Sequence, residues 1–308
     1  MKVHLAFRDF PSKFGMSVAM CLYLIAVLSA LPDERMTFDP KSILEITDLA
    51  IEFDSGKSTA SMAVAGVSLF VKKGEVLGIV GESGSGKTVL SSSILRLLPE
   101  NGRIIRGDIE WGGRSVLSMG RDELKELRGG KIAMIFQDAQ AVMNPVFTIG
   151  RQMSWVLALH RGIPKKEARE IVIDLLSNVR IAAPEKVFNQ YPRQLSGGMC
   201  SRVQIAMGIS CQPELLIADE PTSALDVTTQ AEILDLLEEV KEKIGMSMIF
   251  ITHDLGVASR MADRVAVMFR GEVVETGTPE AIFTAPKAAY TQKLIESVAR
   301  TSLPVAMA

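Results

Sequence analysis

Gly81-Glu82-Ser83-Gly84-Ser85-Gly86-Lys87-Thr88 is the stretch on which the fold turns. Its spacing is Gly-x4-Gly-Lys-Thr. Residues 75–80 in front of it form a short apolar run with the profile of a strand buried in a parallel sheet. Residues 87–98, closed by Pro99, read as the helix that leaves the loop. A strand entering and a helix leaving is the context a phosphate cradle needs, and a chance glycine turn gives no account of it. The glycines let backbone N–H groups curl around phosphate oxygens without Cβ clashes, and the helix points its positive end at the same place. Lys87 is then placed to reach the β and γ phosphates of a nucleotide, and the Thr88 hydroxyl to ligate Mg²⁺.

Outward from the loop, the pattern alternates. Residues 43–53 and 64–71 read as half-buried strands separated by a Ser- and Gly-rich turn at 54–62; residues 104–111 and 131–136 read as further strands. From about 137 to 212 strand signals vanish. Residues 148–160, 164–179 and 197–211 carry helical spacing, with Pro164 as a first-turn proline. The alternation then resumes: strand at 214–218, helix at 227–244, strand at 247–252, two strands within 264–276, and short helices near 279–283 and 288–299. The expected fold class is α/β, with a mainly parallel sheet covered on both faces and a helical insert.

Three further groups carry chemistry. Leu215-Leu216-Ile217-Ala218 leads into Asp219-Glu220, two carboxylates at the carboxyl end of an apolar strand, where open α/β sheets bind ligands. Asp219 is suited to Mg²⁺ and Glu220 to polarising an attacking water; an acidic helix cap is the alternative, and Pro221 argues against it. Ser196-Gly197-Gly198 opens a helix with Ser196 as N-cap, a second anion site or simply a capped helix. His253, one of three histidines, follows an apolar strand and precedes Asp254; a core histidine is its plain alternative.

With Gln137, Leu195-Ser196-Gly197-Gly198 and His253 in this order behind the phosphate loop, residues 43–300 resemble the ATPase subunits of ABC transporters. The resemblance implies a phosphate-loop ATPase of ABC type, with an antiparallel β subdomain beside the parallel core and a helical subdomain at about 138–212. It implies ATP and Mg²⁺ as cofactors. It also implies that Ser196, Gly197 and Gly198 complete the ATP site of a second ATPase subunit, identical or related. Gln137 resembles the residue that contacts Mg²⁺ and the membrane partner. Ser223-Ala224-Leu225-Asp226 resembles the loop coupling the two sites, and His253 the γ-phosphate sensor. Phe53 matches an aromatic stacking on adenine, with an ordinary core aromatic as the alternative. Met134-Ile135-Phe136-Gln137-Asp138, Asn144-Pro145-Val146 and Tyr290-Thr291 are similar to importers of dipeptides and oligopeptides, whose relatives carry peptides, glutathione or nickel. The implied partners are two transmembrane permeases and, indirectly, a periplasmic solute-binding protein. The implied location is peripheral, on the cytoplasmic face of the bacterial inner membrane. A catalytically degenerate paralogue and a non-transport ABC ATPase are the alternatives. Cys200-Ser201 stands where the family usually has Arg-Gln, and the loop 139–143 also departs from the pattern.

The bulk numbers agree. The 308 residues are 47% hydrophobic, enough for a sizeable core, and the net charge of -2 comes from 34 basic and 36 acidic residues without a basic stripe. That balance speaks against nucleic acid as a partner. Cys21, Cys200 and Cys211 show no metal spacing. Cys200 and Cys211 are expected on one helix, about 16 Å apart and too far for a disulfide. Cys200, in a helix first turn, is expected either as a low-pKa thiol, readily alkylated and protected by ATP-driven closure, or as a small apolar filler. Residues 14–31 carry no charge and follow Lys2, Arg8 and Lys13. The segment 1–40 therefore reads as a misassigned start before Met36, a remnant of an upstream membrane protein, or an anchor; the positive-inside rule disfavours the anchor. Residues 41–300 are expected as the ATPase domain and 301–308 as a short tail.

Overall fold

The computed structural model describes residues 42–54, 56 and 61–302, with side chains through 297. The expectations for the N-terminal segment, Met36 and Cys21 lie outside these residues.

Among the described residues the strands form two sheets. The first is antiparallel, in the order β2 (Ser61–Lys72), β1 (Ser42–Phe53), β4 (Gly102–Trp111), β5 (Arg114–Ser115). The second has six strands in the order β10 (Glu272–Gly277), β9 (Arg264–Phe269), β3 (Val76–Val80), β8 (Ser247–Thr252), β7 (Leu215–Asp219), β6 (Ile132–Ile135). Its neighbours are parallel except for β10 on β9. The fold is therefore α/β, with a mainly parallel core, an antiparallel β sheet and a helical insert.

Period-two alternation in the central strands divides the interior. Leu77, Ile79, Ile217, Ile249 and Ile251 face one core with Leu44, Ile46 and Leu49 of β1 and with Leu90 and Ile94 of α1 (Lys87–Ile94). Leu216, Ala218, Met248 and Phe250 face the other way. There they meet the insert helices α4 (Ile149–Arg161), α5 (Lys165–Asn178) and α7 (Gly197–Ile209), together with α8 (Val227–Ile244). Both faces are dry, so β3, β7 and β8 are apolar throughout rather than alternating. Each fully buried Ile or Leu contributes about 1.5–3 kcal/mol of apolar transfer. This rigid sheet fixes where the functional loops begin.

Several boundaries differ from the sequence reading. The helix after the phosphate loop stops at Ile94 rather than Leu98. Arg96 takes a left-handed φ of 50°, and the Arg96 and Leu97 N–H groups bond back to Ser93 and Ser92. This is a Schellman ending with arginine at the position glycine usually fills, so no glycine marks it. Likewise α7 ends at Ile209, which leaves Cys211 in the following turn and not on the helix with Cys200. The short helices α2 (Arg121–Glu126), α3 (Ala139–Val142) and α6 (Pro184–Phe188) carried no readable periodicity. The remaining helices are α9 (Leu255–Met261), α10 (Pro279–Thr284) and α11 (Ala289–Ser302), the last running past residue 300.

Candidate active site

The order β3-β8-β7-β6 brings four strand ends to one edge of the sheet. Val80 delivers the phosphate loop, Thr252 delivers His253, Asp219 is followed by Glu220, and Ile135 leads through Phe136 to Gln137. They border an open cleft of about 960 Å³, lined among others by Ser83, Gly84, Lys87, Thr88, Gln137, Glu220 and His253.

The loop is built by close approach. A Cβ on Gly86, at φ 102°, would lie 2.3 Å from the Ala63 carbonyl oxygen, so β2 presses directly against it. Lys87 is buried and donates from Nζ to the carbonyls of Gly81 at 2.8 Å and Glu82 at 2.9 Å, with Ser85 Oγ at 3.5 Å. Burial pulls its pKa down, and the carboxylates of Glu220 and Asp219 work against that. The Thr88 hydroxyl donates to Asp219 Oδ1 at 3.3 Å. This hydroxyl and carboxylate are a donor set suited to a hard cation such as Mg²⁺.

Burial raises the Asp219 pKa, the Thr88 hydrogen bond opposes it, and Glu220 adds to it. The folded state then holds this proton more tightly than the unfolded chain does. Stability therefore falls as pH rises from the ordinary carboxylate value through the raised one, and stays lower at neutral pH. Asp219→Asn is expected to raise Tm of the nucleotide-free protein by about 2–4 °C at neutral pH, a gain that shrinks in acid. Scanning calorimetry across pH checks this; an unchanged or lower Tm would show that the charge is already compensated.

Glu220 is the conformational exception in this edge. It leaves β7 at φ 45°, a left-handed geometry uncommon outside glycine, held by its N–H bonding to the Ile251 carbonyl at 3.0 Å. The twist aims its carboxylate so that Oε2 lies 3.2 Å from His253 Nδ1 and accepts from Gln137 Nε2 at 3.3 Å. Gln137 and His253, far from Glu220 in the chain, therefore converge on one of its oxygens, in the cleft that Lys87 and Thr88 also line.

The other residues named from sequence stand elsewhere. Ser196 caps α7 by accepting from the Met199 N–H. Gly198 lies so close to the start of α8 that a Cβ would be 2.7 Å from Thr229 Cγ2. Asp226 caps α8 through the Thr229 N–H and hydroxyl, contacts that hold its carboxyl below the usual range. Ser196–Gly198 and Asp226 are thus neighbours of one another and are not among the cleft's lining residues. Nor is Phe53, whose ring packs on Gly102, at 2.9 Å from the position of an added Cβ.

Cys200 corrects an expectation. It is 1% exposed, and burial, with the Asp138 carboxylate next, raises its pKa. The reactive low-pKa thiol is overturned; Cys200 is a small apolar filler whose Sγ lies 3.7 Å from the Pro192 carbonyl. Gln204 was missed. With its amide turned to satisfy both groups, it donates to the Phe136 carbonyl at 3.1 Å and accepts from the Phe136 N–H at 2.9 Å. It thereby ties α7 to the residue before Gln137. A glutamine inside an apolar helix was the available signal.

A family model described as ABC transporter matches residues 64–223. The chain is 45% identical over 267 residues to the probable peptide ABC transporter ATP-binding protein y4tR of Sinorhizobium fredii, covering 86% of this chain and 79% of that protein. It is 45% identical over 257 residues to the dipeptide transport ATP-binding protein DppD of Escherichia coli, covering 83% and 78%. Among solved structures, its fold is similar to the dimeric, post-hydrolysis ATP-binding cassette MJ0796 bound to ADP and Pi. The TM-score is 0.68 at 28% identity, over 77% of this chain and 98% of that one.

Proposed function

The chain belongs to the ABC transporter family, and from that premise we propose the role its geometry supports best. It is the ATP-binding, energy-coupling subunit of a peptide importer, hydrolysing ATP to drive transport through membrane permease partners. The observation that carries this is the convergence of Gln137 and His253 on Glu220 beside the phosphate loop. Lys87 and the loop amides hold the phosphates, Thr88, Asp219 and Gln137 hold Mg²⁺, and Glu220 aligns the water. Mg²⁺ supplies charge neutralisation on the phosphates when bound; the chain supplies position.

The separation of Ser196, Gly197, Gly198 and Asp226 from the cleft supports a two-subunit engine. These residues face the nucleotide of a second ATPase subunit, so that two bound ATP molecules bridge the pair. ATP then favours the closed pair and hydrolysis removes the bridge. Residues 41–300 form the ATPase domain and 138–212 the helical subdomain that passes closure to two permeases, which receive peptide from a periplasmic solute-binding protein. No helix among the described residues is long and apolar enough to cross a membrane. A peripheral place on the cytoplasmic face of an inner membrane follows from the permease partners.

The test is reconstitution with the permeases and solute-binding protein of a peptide importer. Peptide uptake that requires ATP and stops on omission of this chain is the expected result. ATP hydrolysis without peptide uptake would move the cargo to another solute. No hydrolysis even in the assembled complex would mark a degenerate paralogue.

A further inference from the structure

The phosphate loop rests on the far end of the chain. The turn between β9 and β10 lies beneath it. Gly271 donates its N–H to the Ser85 carbonyl at 2.9 Å, and the Met268 carbonyl oxygen would be 2.2 Å from a Cβ on Gly81. Beside this floor stands α11. Its first turn carries Tyr290, whose ring stacks on Phe269 with centroids 4.1 Å apart and planes at 24°. The Tyr290 hydroxyl accepts a hydrogen bond from the Glu82 N–H at 3.2 Å. Its placement is anchored independently: Glu275 of β10 accepts from the N–H groups of Lys287 and Ala288 at 2.8 and 3.0 Å, fixing the entry to α11. One turn further on, Leu294 reaches the cleft itself.

From this contact we propose that Tyr290 is a positioning residue for nucleotide binding, acting through the Gly81–Glu82 peptide. The Gly81–Glu82 peptide is held on both sides. Its N–H, that of Glu82, donates to Tyr290, and its carbonyl, that of Gly81, accepts from Lys87 Nζ at 2.8 Å. Were the peptide to turn over, its carbonyl would leave Lys87, and the lysine would lose one of the two backbone anchors that hold it in the loop. The tyrosine hydroxyl excludes that rotation before nucleotide arrives. Its contribution is pre-organisation, which appears in affinity rather than in the chemical step. The reading rests on ATP being the ligand of this loop.

Tyr290→Phe keeps the ring and its stack on Phe269 and deletes only the hydroxyl. One neutral hydrogen bond's worth of pre-organisation corresponds to about a three- to tenfold higher KM for MgATP and a similarly weaker Kd, with kcat and Tm unchanged. Tyr290→Leu, which also removes the stack, is expected to lower Tm while shifting KM no further than the phenylalanine variant. Unchanged KM and Kd in Tyr290→Phe, in a protein whose wild type binds MgATP, would overturn the inference and leave the ATPase reading intact. A fall in kcat and Tm together, without a KM shift, would also overturn it by making the contact merely structural. Failure of the wild type to bind MgATP at all would take down both.

Discussion

Glu220→Gln is expected to lower Mg²⁺-dependent ATP turnover by at least about a hundredfold, the usual contribution of a positioned general base, while ATP still binds. Glutamine keeps the shape and can still meet His253 and Gln137, so the left-handed turn at Glu220 and the cleft survive. What is lost is a carboxylate that can draw a proton from water. With hydrolysis stopped and binding kept, the variant should accumulate an ATP-dependent dimer that the wild type forms only in passing. Single-turnover hydrolysis and light scattering with and without MgATP measure the two halves. Turnover within a few-fold of wild type would remove Glu220 from the role of base.

Lys87→Met is expected to fail earlier, at binding. The methionine fills the buried path of the lysine stem but cannot carry charge to a phosphate, and among the described residues no other lysine or arginine lines this cleft. Loss of one such contact to a charged phosphate costs about 10²–10³ in kcat/KM. The nucleotide-free protein should nonetheless melt close to wild type, since an ammonium held partly against its desolvation cost is removed along with its bonds to Gly81 and Glu82. Titration with a fluorescent ATP analogue and calorimetry separate these effects. Wild-type ATP affinity and turnover in a folded Lys87→Met protein would displace this lysine from the site. Together, the two variants should split the activity: one binds without turning over, the other folds without binding.

What the sequence made legible follows from which physics is local. β3, β7 and β8 are buried on both faces, so they read as unbroken apolar runs, and Val227–Ile244 and Ser247–Thr252 were placed to the residue. The phosphate loop, Asp219-Glu220 and His253 sit at the ends of those strands, and naming the strands nearly names the edge. Features that depend on contacts between distant segments were not legible. A local exception is the Arg96 Schellman ending, which has no glycine to announce it. The burial of Cys200 beneath Pro192 reversed a reactivity inferred from helix position alone. The Gln204 clamp on Phe136 and the Tyr290 contact to Glu82 join segments far apart in sequence; a glutamine in an apolar helix hints at a buried partner, but neither partner is encoded locally.

The strand order also sets a timetable for making the protein. β3 carries the phosphate loop, yet its neighbours in the sheet are β8 and β9, with Val76 opposite Met248 and Leu77 opposite Arg264. A ribosome adding roughly 5–20 residues per second completes β3 on the order of ten seconds or more before its first neighbour exists. Through that interval a run of five apolar residues has its hydrogen-bonding edges open, the situation in which nascent chains aggregate. Among the described residues the antiparallel sheet can close early, since β1, β2, β4 and β5 all lie within residues 42–115. Nucleotide can therefore assist only the last stage of folding, after β8 has docked, and a chaperone that shields β3 until then would act before any ligand could.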